Sequence, residues 1–284
     1  MAKIAFVTDS TAYIPAELVK QYNITVTPQI LVWGEQTYRD GIDIQPDEFY
    51  ARLKTSKTMP TTSQVSVVTM QHTFQELIDR GCDVLGVFIS GKLSGTLQSA
   101  LQGREALGSA AEKVVLVDSN TTAMAMGFLV LTAARAAEQG ANAAECKALV
   151  EKGRGQSGVY FAVDTLEFLH RGGRIGGGAR FIGSALNLKP ILAIRDGRVE
   201  AEDRVRTKPK ALDRVLELAA ERLKGKSNIR IATLHANAEQ EARALLDKAT
   251  KEFNAVESVL SSVSPVVGVH AGPGTVGLVF LAGL

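Results

Sequence analysis

Cysteine is scarce in this chain of 284 residues. Cys82 and Cys146 stand far apart, outside any CxxC or Cys/His spacing. That leaves no disulfide framework and points to a reducing compartment. No apolar run approaches the roughly 20 residues that a membrane-spanning helix needs. The opening segment MAKIAFVTDST holds an apolar stretch too short for a signal peptide and reads as a strand, so a cytoplasmic protein is expected. Excess charge of one sign is also missing. Thirty-two Lys and Arg against 30 Asp and Glu leave a formal net charge of +2, too little to imply a nucleic-acid partner. The histidines His72, His170, His235 and His270 show no HExxH-like spacing, and no metal site is expected. The chain shows no internal repeat or low-complexity tract.

What is present is an ordinary globular composition, 45% hydrophobic and 22% charged, on a chain long enough for two modest domains and an internal cavity. Three apolar runs each lead through a polar turn into a helical pattern. Lys3–Val7 precedes Thr8-Asp9-Ser10-Thr11, Val84–Ile89 precedes Ser90-Gly91-Lys92-Leu93-Ser94, and Lys113–Val117 precedes Asp118-Ser119-Asn120. The turn residues are helix-capping types, and capping accounts for Asp9, Ser10 and Asp118. β-branched runs alternating with helices predict a parallel sheet covered on both faces. Helices are expected over Ala16–Gln21, Pro46–Thr55, Val67–Arg80, Leu93–Leu107, Met124–Gln139 and Ala143–Arg154.

Beyond about residue 156 the texture changes. A strand at Val159–Val163 is followed by a glycine-rich turn at Arg171–Gly178 and a helix over Ala179–Leu186. Lys189–Ile194 and Arg198–Arg206 read as a hairpin around Asp196-Gly197, a strong turn pair. Helices are expected over Lys208–Lys224 and Ala238–Phe253, and strands over Ile229–His235, Val256–Val263, Val266–His270 and Val276–Leu281. The expected architecture is therefore α/β in two domains. Residues 1–156 form a parallel α/β domain and residues 157–284 an α/β domain with a mixed or antiparallel sheet.

Two glycine motifs fail on context. Gly272-Pro273-Gly274-Thr275-Val276-Gly277 has the letters of a dinucleotide fingerprint, but a strand follows it where a helix is required. Gly86-Val87-Phe88-Ile89-Ser90-Gly91-Lys92 resembles a phosphate-binding loop. However, Leu93 stands where Ser or Thr should meet Mg²⁺, and the spacer residues belong to a strand. Ser94 lies outside a GxSxG elbow.

Four segments combine hydroxyls, glycines and a basic group: Met59–Gln64, Ser90–Thr96, Arg171–Ile175 and Val269–Gly274. In chain order, TDST, PTTSQ, SGKLSGT with Gln98-Ser99-Ala100 behind it, VDSN, LEFLHRGGRI, LNLKPIL followed by DGRV, and VVGVHAGPG resemble the DegV family over essentially the whole length. The resemblance implies a two-domain α/β fold that encloses a long-chain fatty acid, with the carboxyl group near the domain junction. It also implies the role of fatty-acid-binding subunit of a fatty acid kinase, in which a separate ATP-binding protein makes the acyl phosphate for phospholipid synthesis. Position by position, it places the carboxylate near Thr61 and Thr62, Ser90 and Gly91, Arg174 and His270, and the strand-to-helix junction at Ser90–Ser94 adds Ser94 as a further candidate donor. This chain has Gly91 where many relatives have a second serine, and Val65 where many have proline.

The chemistry of such a ligand agrees. Each buried CH₂ of the tail contributes roughly 0.8 kcal/mol, while the carboxylate has to be met by donors: hydroxyls, backbone N–H groups at a strand-to-helix junction, or a cation. Phosphoryl transfer needs metal- and phosphate-binding elements that no segment supplies, so no cofactor and no catalysis by this chain alone are expected. Arg204 and Arg206, in a basic stretch with Arg195, Arg198, Lys208, Lys210 and Arg214, are candidates for docking an acidic kinase surface or for transient contact with anionic lipid headgroups. The competing readings are a stand-alone acyl hydrolase using Ser94 or Ser90, a carrier or sensor of another amphiphilic acid, and a regulatory protein with a filled interior.

Overall fold

The computed structural model describes residues 3–182 and 188–284. Strands β1 (Lys3–Asp9), β2 (Thr25–Thr27), β6 (Cys82–Phe88) and β7 (Val114–Asp118) form a parallel sheet in the order β2-β1-β6-β7. Its strands are apolar on both sides because both faces are covered. Val7, Val84, Phe88 and Val114 pack with Met70, Phe74 and Leu77 of the Val67–Asp79 helix, whereas Phe6, Leu85, Val87 and Val117 face the Ala123–Glu138 helix.

Strands β8 (Ser157–Ala162), β9 (Lys189–Arg195), β10 (Arg198–Val205), β11 (Arg230–His235), β12 (Glu257–Ser262) and β13 (Val276–Leu281) build a second sheet in the order β10-β9-β8-β13-β11-β12. Within it only the β11–β12 pair is parallel. One face carries the Lys208–Leu223 and Glu239–Glu252 helices. The other, through Val159, Phe161, Leu234 and Val279, shares a core with the parallel sheet. The Ala123–Glu138 helix lies in that shared core and is buried at every position from Ala123 to Ala134, as an all-apolar helix must be. Its Arg135 reaches Glu257 on β12 with a bidentate pair at 2.7 and 2.9 Å, and Arg230 Nε adds a contact at 3.3 Å.

The two-domain α/β layout read from the sequence is present, with the expected β9–β10 hairpin. At its turn Asp196 and Gly197 both take positive φ, 47° and 76°, the conformation that fits the twist of a two-residue hairpin. Several expectations are corrected. Val266–His270 is not a strand. It lies in a helix, Pro265–Ala271, which starts with proline at its first position; a short apolar run does not distinguish the two states. The helix expected over Leu93–Leu107 spans Thr96–Glu105, because Ser90 O accepts from Leu93 N and Ser94 N in a preceding turn. Gly176–Phe181 forms a 3₁₀ turn, and positions 183–187, part of the helix expected to Leu186 and of the LNLKPIL segment, lie outside the described residues. A third, small antiparallel sheet was not expected. It has the order β4-β3-β5 and comprises β3 (Ile30–Trp33), β4 (Gln36–Arg39) and β5 (Thr61–Ser63). Among the described residues no helix is long and apolar enough to cross a membrane.

Candidate functional site

A cavity lies where the three sheets meet. Much of its wall is apolar. Val159, Phe161 and Leu234 come from the six-stranded sheet, Ile194 and Val199 from the hairpin, and Val263, Val266 and Val267 from β12's end and the helix after it. Polar groups gather from distant stretches. Thr62 lies on β5, Ser94 in the turn after β6, Arg174 in the glycine-rich turn, and His270 in the last turn of the Pro265–Ala271 helix.

Their geometry is specific. Thr62 Oγ1 and His270 Nε2 share a hydrogen bond of 2.9 Å. His270 Nδ1 is buried without a partner, and a Cβ at position 172 would overlap it. Gly172 is therefore a close-approach glycine that lets the ring lie against the turn. Burial, with the Arg174 charge second, lowers the His270 pKa to about 4. The ring is neutral at pH 7 and acts through hydrogen bonds, so the cation of this site is Arg174. That guanidinium donates Nε–H to Leu93 O at 3.1 Å and Nη1–H to Gly172 O at 2.8 Å, which holds it at the exposed rim. Ser94 Oγ accepts from Thr96 N at 3.3 Å and faces Gln29 Oε1 at 3.5 Å.

Of the residues proposed from sequence, Thr62, Ser94, Arg174 and His270 are brought together on the cavity. Thr61 is exposed and does not line it. Ser90 is wholly buried and donates its hydroxyl to Gly197 O of the hairpin turn at 2.9 Å. Gly91 is exposed and its N–H goes to Asp118 Oδ2 at 3.2 Å. Arg204 and Arg206 are exposed and away from the cavity, and Arg204 lies over the Phe181 ring at 5.5 Å.

Sequence reading missed Gln29, Tyr13 and Asp9. Gln29 and Tyr13 line the cavity, and Tyr13 Oη accepts from Ser264 N at 3.2 Å. Asp9 does cap the following 3₁₀ turn locally, but its carboxylate also reaches Gln29 and Ile89. Burial pushes its pKa up against those bonds. Asp40, also buried, accepts from Ser10 Oγ at 2.6 Å and from Val266 N at 3.2 Å, and burial raises its pKa to about 6.

The family model described as "Uncharacterised protein, DegV family" matches residues 3–283. The chain belongs to the DegV family. A DegV domain-containing protein of Halalkalibacterium halodurans is 35% identical over 281 residues, covering 98% of each chain. Among solved structures, a DegV family protein from Thermus thermophilus, studied for fatty acid binding, superposes with a TM-score of 0.93 at 34% identity over 99% of this chain and 100% of that one. DegV of Bacillus subtilis, a fatty acid binding protein, superposes with a TM-score of 0.90 at 32% identity over the full length of both. Both of these solved relatives are thus fatty-acid-binding proteins of the same α/β fold.

Proposed function

We propose that this chain binds a long-chain fatty acid and presents its carboxylate to a separate ATP-dependent kinase, which forms the acyl phosphate that feeds phospholipid synthesis. The observation that carries the reading is a single cavity whose lining joins valines and Phe161 to the polar groups of Thr62, Ser94, Arg174 and His270. A tail gains roughly 0.8 kcal/mol per CH₂ buried there, and the carboxylate gains donors that replace its lost water. Fatty acid binding by the 34%-identical Thermus protein supports the ligand class. A hydrolase finds less support. Among the described residues neither Ser90 nor Ser94 is hydrogen-bonded to a histidine, and the His270 ring is engaged by Thr62.

In this reading the protein works in the cytoplasm with no cofactor of its own. Arg204 and Arg206 supply a docking patch for the kinase, with transient contact at a membrane surface as an alternative use. The domain boundary falls near residue 156, between the Ala143–Arg154 helix and β8. Mass spectrometry of lipids extracted from the purified protein tests the ligand, and a C14–C20 acid at near-equimolar yield is expected. Incubation with ATP, Mg²⁺ and oleate tests the division of labour. Acyl phosphate formed without a second protein would overturn it.

A further inference from the structure

The structure carries a fully buried carboxylate that the fatty-acid reading does not use. Asp9, at the end of β1, has no solvent exposure. Its Oδ1 accepts from Thr11 N at 3.0 Å, Thr11 Oγ1 at 2.6 Å and Gln29 Nε2 at 3.2 Å, and its Oδ2 accepts from Ile89 N at 2.9 Å. Thr11, Gln29 and Ile89 all line the cavity and come from three separate stretches of chain. Every one of these groups donates, which is the pattern an acceptor-only carboxylate demands. The same demand fixes the Gln29 side chain. With Nε2 turned to Asp9, the amide oxygen faces Ser94 Oγ at 3.5 Å. Ile89 is the residue at which β6 gives way to the turn that carries Ser94, and its N–H is the one pinned by Oδ2.

We infer that Asp9 is a positioning residue for the ligand's head group, holding the Gln29 amide and the Ser94 turn in the register at which Ser94 and Thr62 can both reach a carboxylate. It does not touch the ligand and acts through Gln29 and the Ile89 N–H. An asparagine at position 9 would set an NH₂ against at least one of four donors. Relief of that conflict turns Gln29 over or shifts the end of β6, and either change moves Ser94. The tail's wall, built from the six-stranded sheet and the Pro265–Ala271 helix, is not held by Asp9. The damage therefore falls on head-group recognition rather than on general lipid binding. A purely structural carboxylate would weaken all ligands alike.

This inference rests on the fatty-acid reading, and the test separates the two. Dissociation constants for oleate and oleyl alcohol are measured on the full-length wild type, Asp9→Asn and Gln29→Met, each checked for a native fold by near-UV circular dichroism. Wild type should prefer the acid. Asp9→Asn should cut that preference about tenfold or more, the loss of a charge-assisted hydrogen bond, with the alcohol's affinity within about threefold of wild type. Gln29→Met leaves Asp9 in place and should lower the preference in the same direction, so it decides the matter if Asp9→Asn does not fold. An acid-over-alcohol preference that is unchanged or increased in the folded variants, or affinities for both lipids that fall equally, overturns the role of Asp9. Failure of wild type to bind either lipid overturns the fatty-acid reading instead.

Discussion

Thr62 and His270 are 208 positions apart in the chain and meet through a hydrogen bond of 2.9 Å. The contact brings a strand of the small sheet against a helix from the far end of the chain, and a neutral imidazole then orients a hydroxyl at the cavity. Thr62→Val keeps the shape and removes the hydroxyl. Oleate affinity should fall roughly tenfold, the scale of one hydrogen bond to a charged group, with oleyl alcohol affected less. Isothermal titration reads both, and undiminished oleate binding would remove Thr62 from the site.

Gly172 makes the His270 position possible, because a side chain there would occupy the space of Nδ1. Gly172→Ala should displace the ring, break the Thr62 bond and weaken oleate binding by at least the amount seen for Thr62→Val. The two substitutions combined should cost less than the sum of the singles, since they remove the same contact.

Asp40 and His270 give opposite pH trends. Asp40 has a folded pKa of about 6 against an ordinary 3.8, so the folded state holds its proton more tightly. The stability tied to that proton is complete below pH 4 and is lost as pH rises through 6. His270, at about 4 against an ordinary 6.5, contributes stability that is present above 6.5 and lost as pH falls toward 4. Asp40→Asn removes the first effect only. The stability of this variant relative to wild type should rise between pH 4 and 6 and level off above, by up to about 3 kcal/mol, in urea melts at half-unit pH steps. A flat difference would show that Asp40 is not shifted.

Glu257 of β12 is paired with Arg135 of the Ala123–Glu138 helix and is shared with Arg230. Glu257→Gln should lower unfolding stability by about 1–3 kcal/mol. Because the core is common to both sheets, the urea melt should remain a single transition. Two separated transitions would mean that residues 1–156 and 157–284 fold as independent units.

Reversing charge at Arg204 and Arg206 together should impair acyl-phosphate formation by an added kinase and leave oleate affinity unchanged, since both residues are exposed and away from the cavity. Equal loss of both activities would argue against a docking role.

Much of the fold was legible because its signals are local. The Asp196-Gly197 turn, the apolar runs of β1, β6 and β7, and the capping residues at their ends each act over a few positions. The small sheet escaped because β3 is four residues long and β5, Thr61–Ser63, has no apolar face to betray it. Of the site, Thr62, Ser94, Arg174 and His270 could be named from the segments that carry them. The structure turns Ser90 away from the cavity and gives the capping residue Asp9 further partners. Ser90 is spent on the hairpin turn, and Asp9, besides capping locally, also accepts from Ile89 N. Both roles depend on partners 80 to 107 positions away, a distance at which propensity and periodicity carry no information.

The helix enclosed from Ala123 to Ala134 leaves neither half of the molecule free to drift alone. A change in volume on one side of it is transmitted to the opposite sheet, so enlarging a side chain of this helix calls for compensating substitutions in both halves at once.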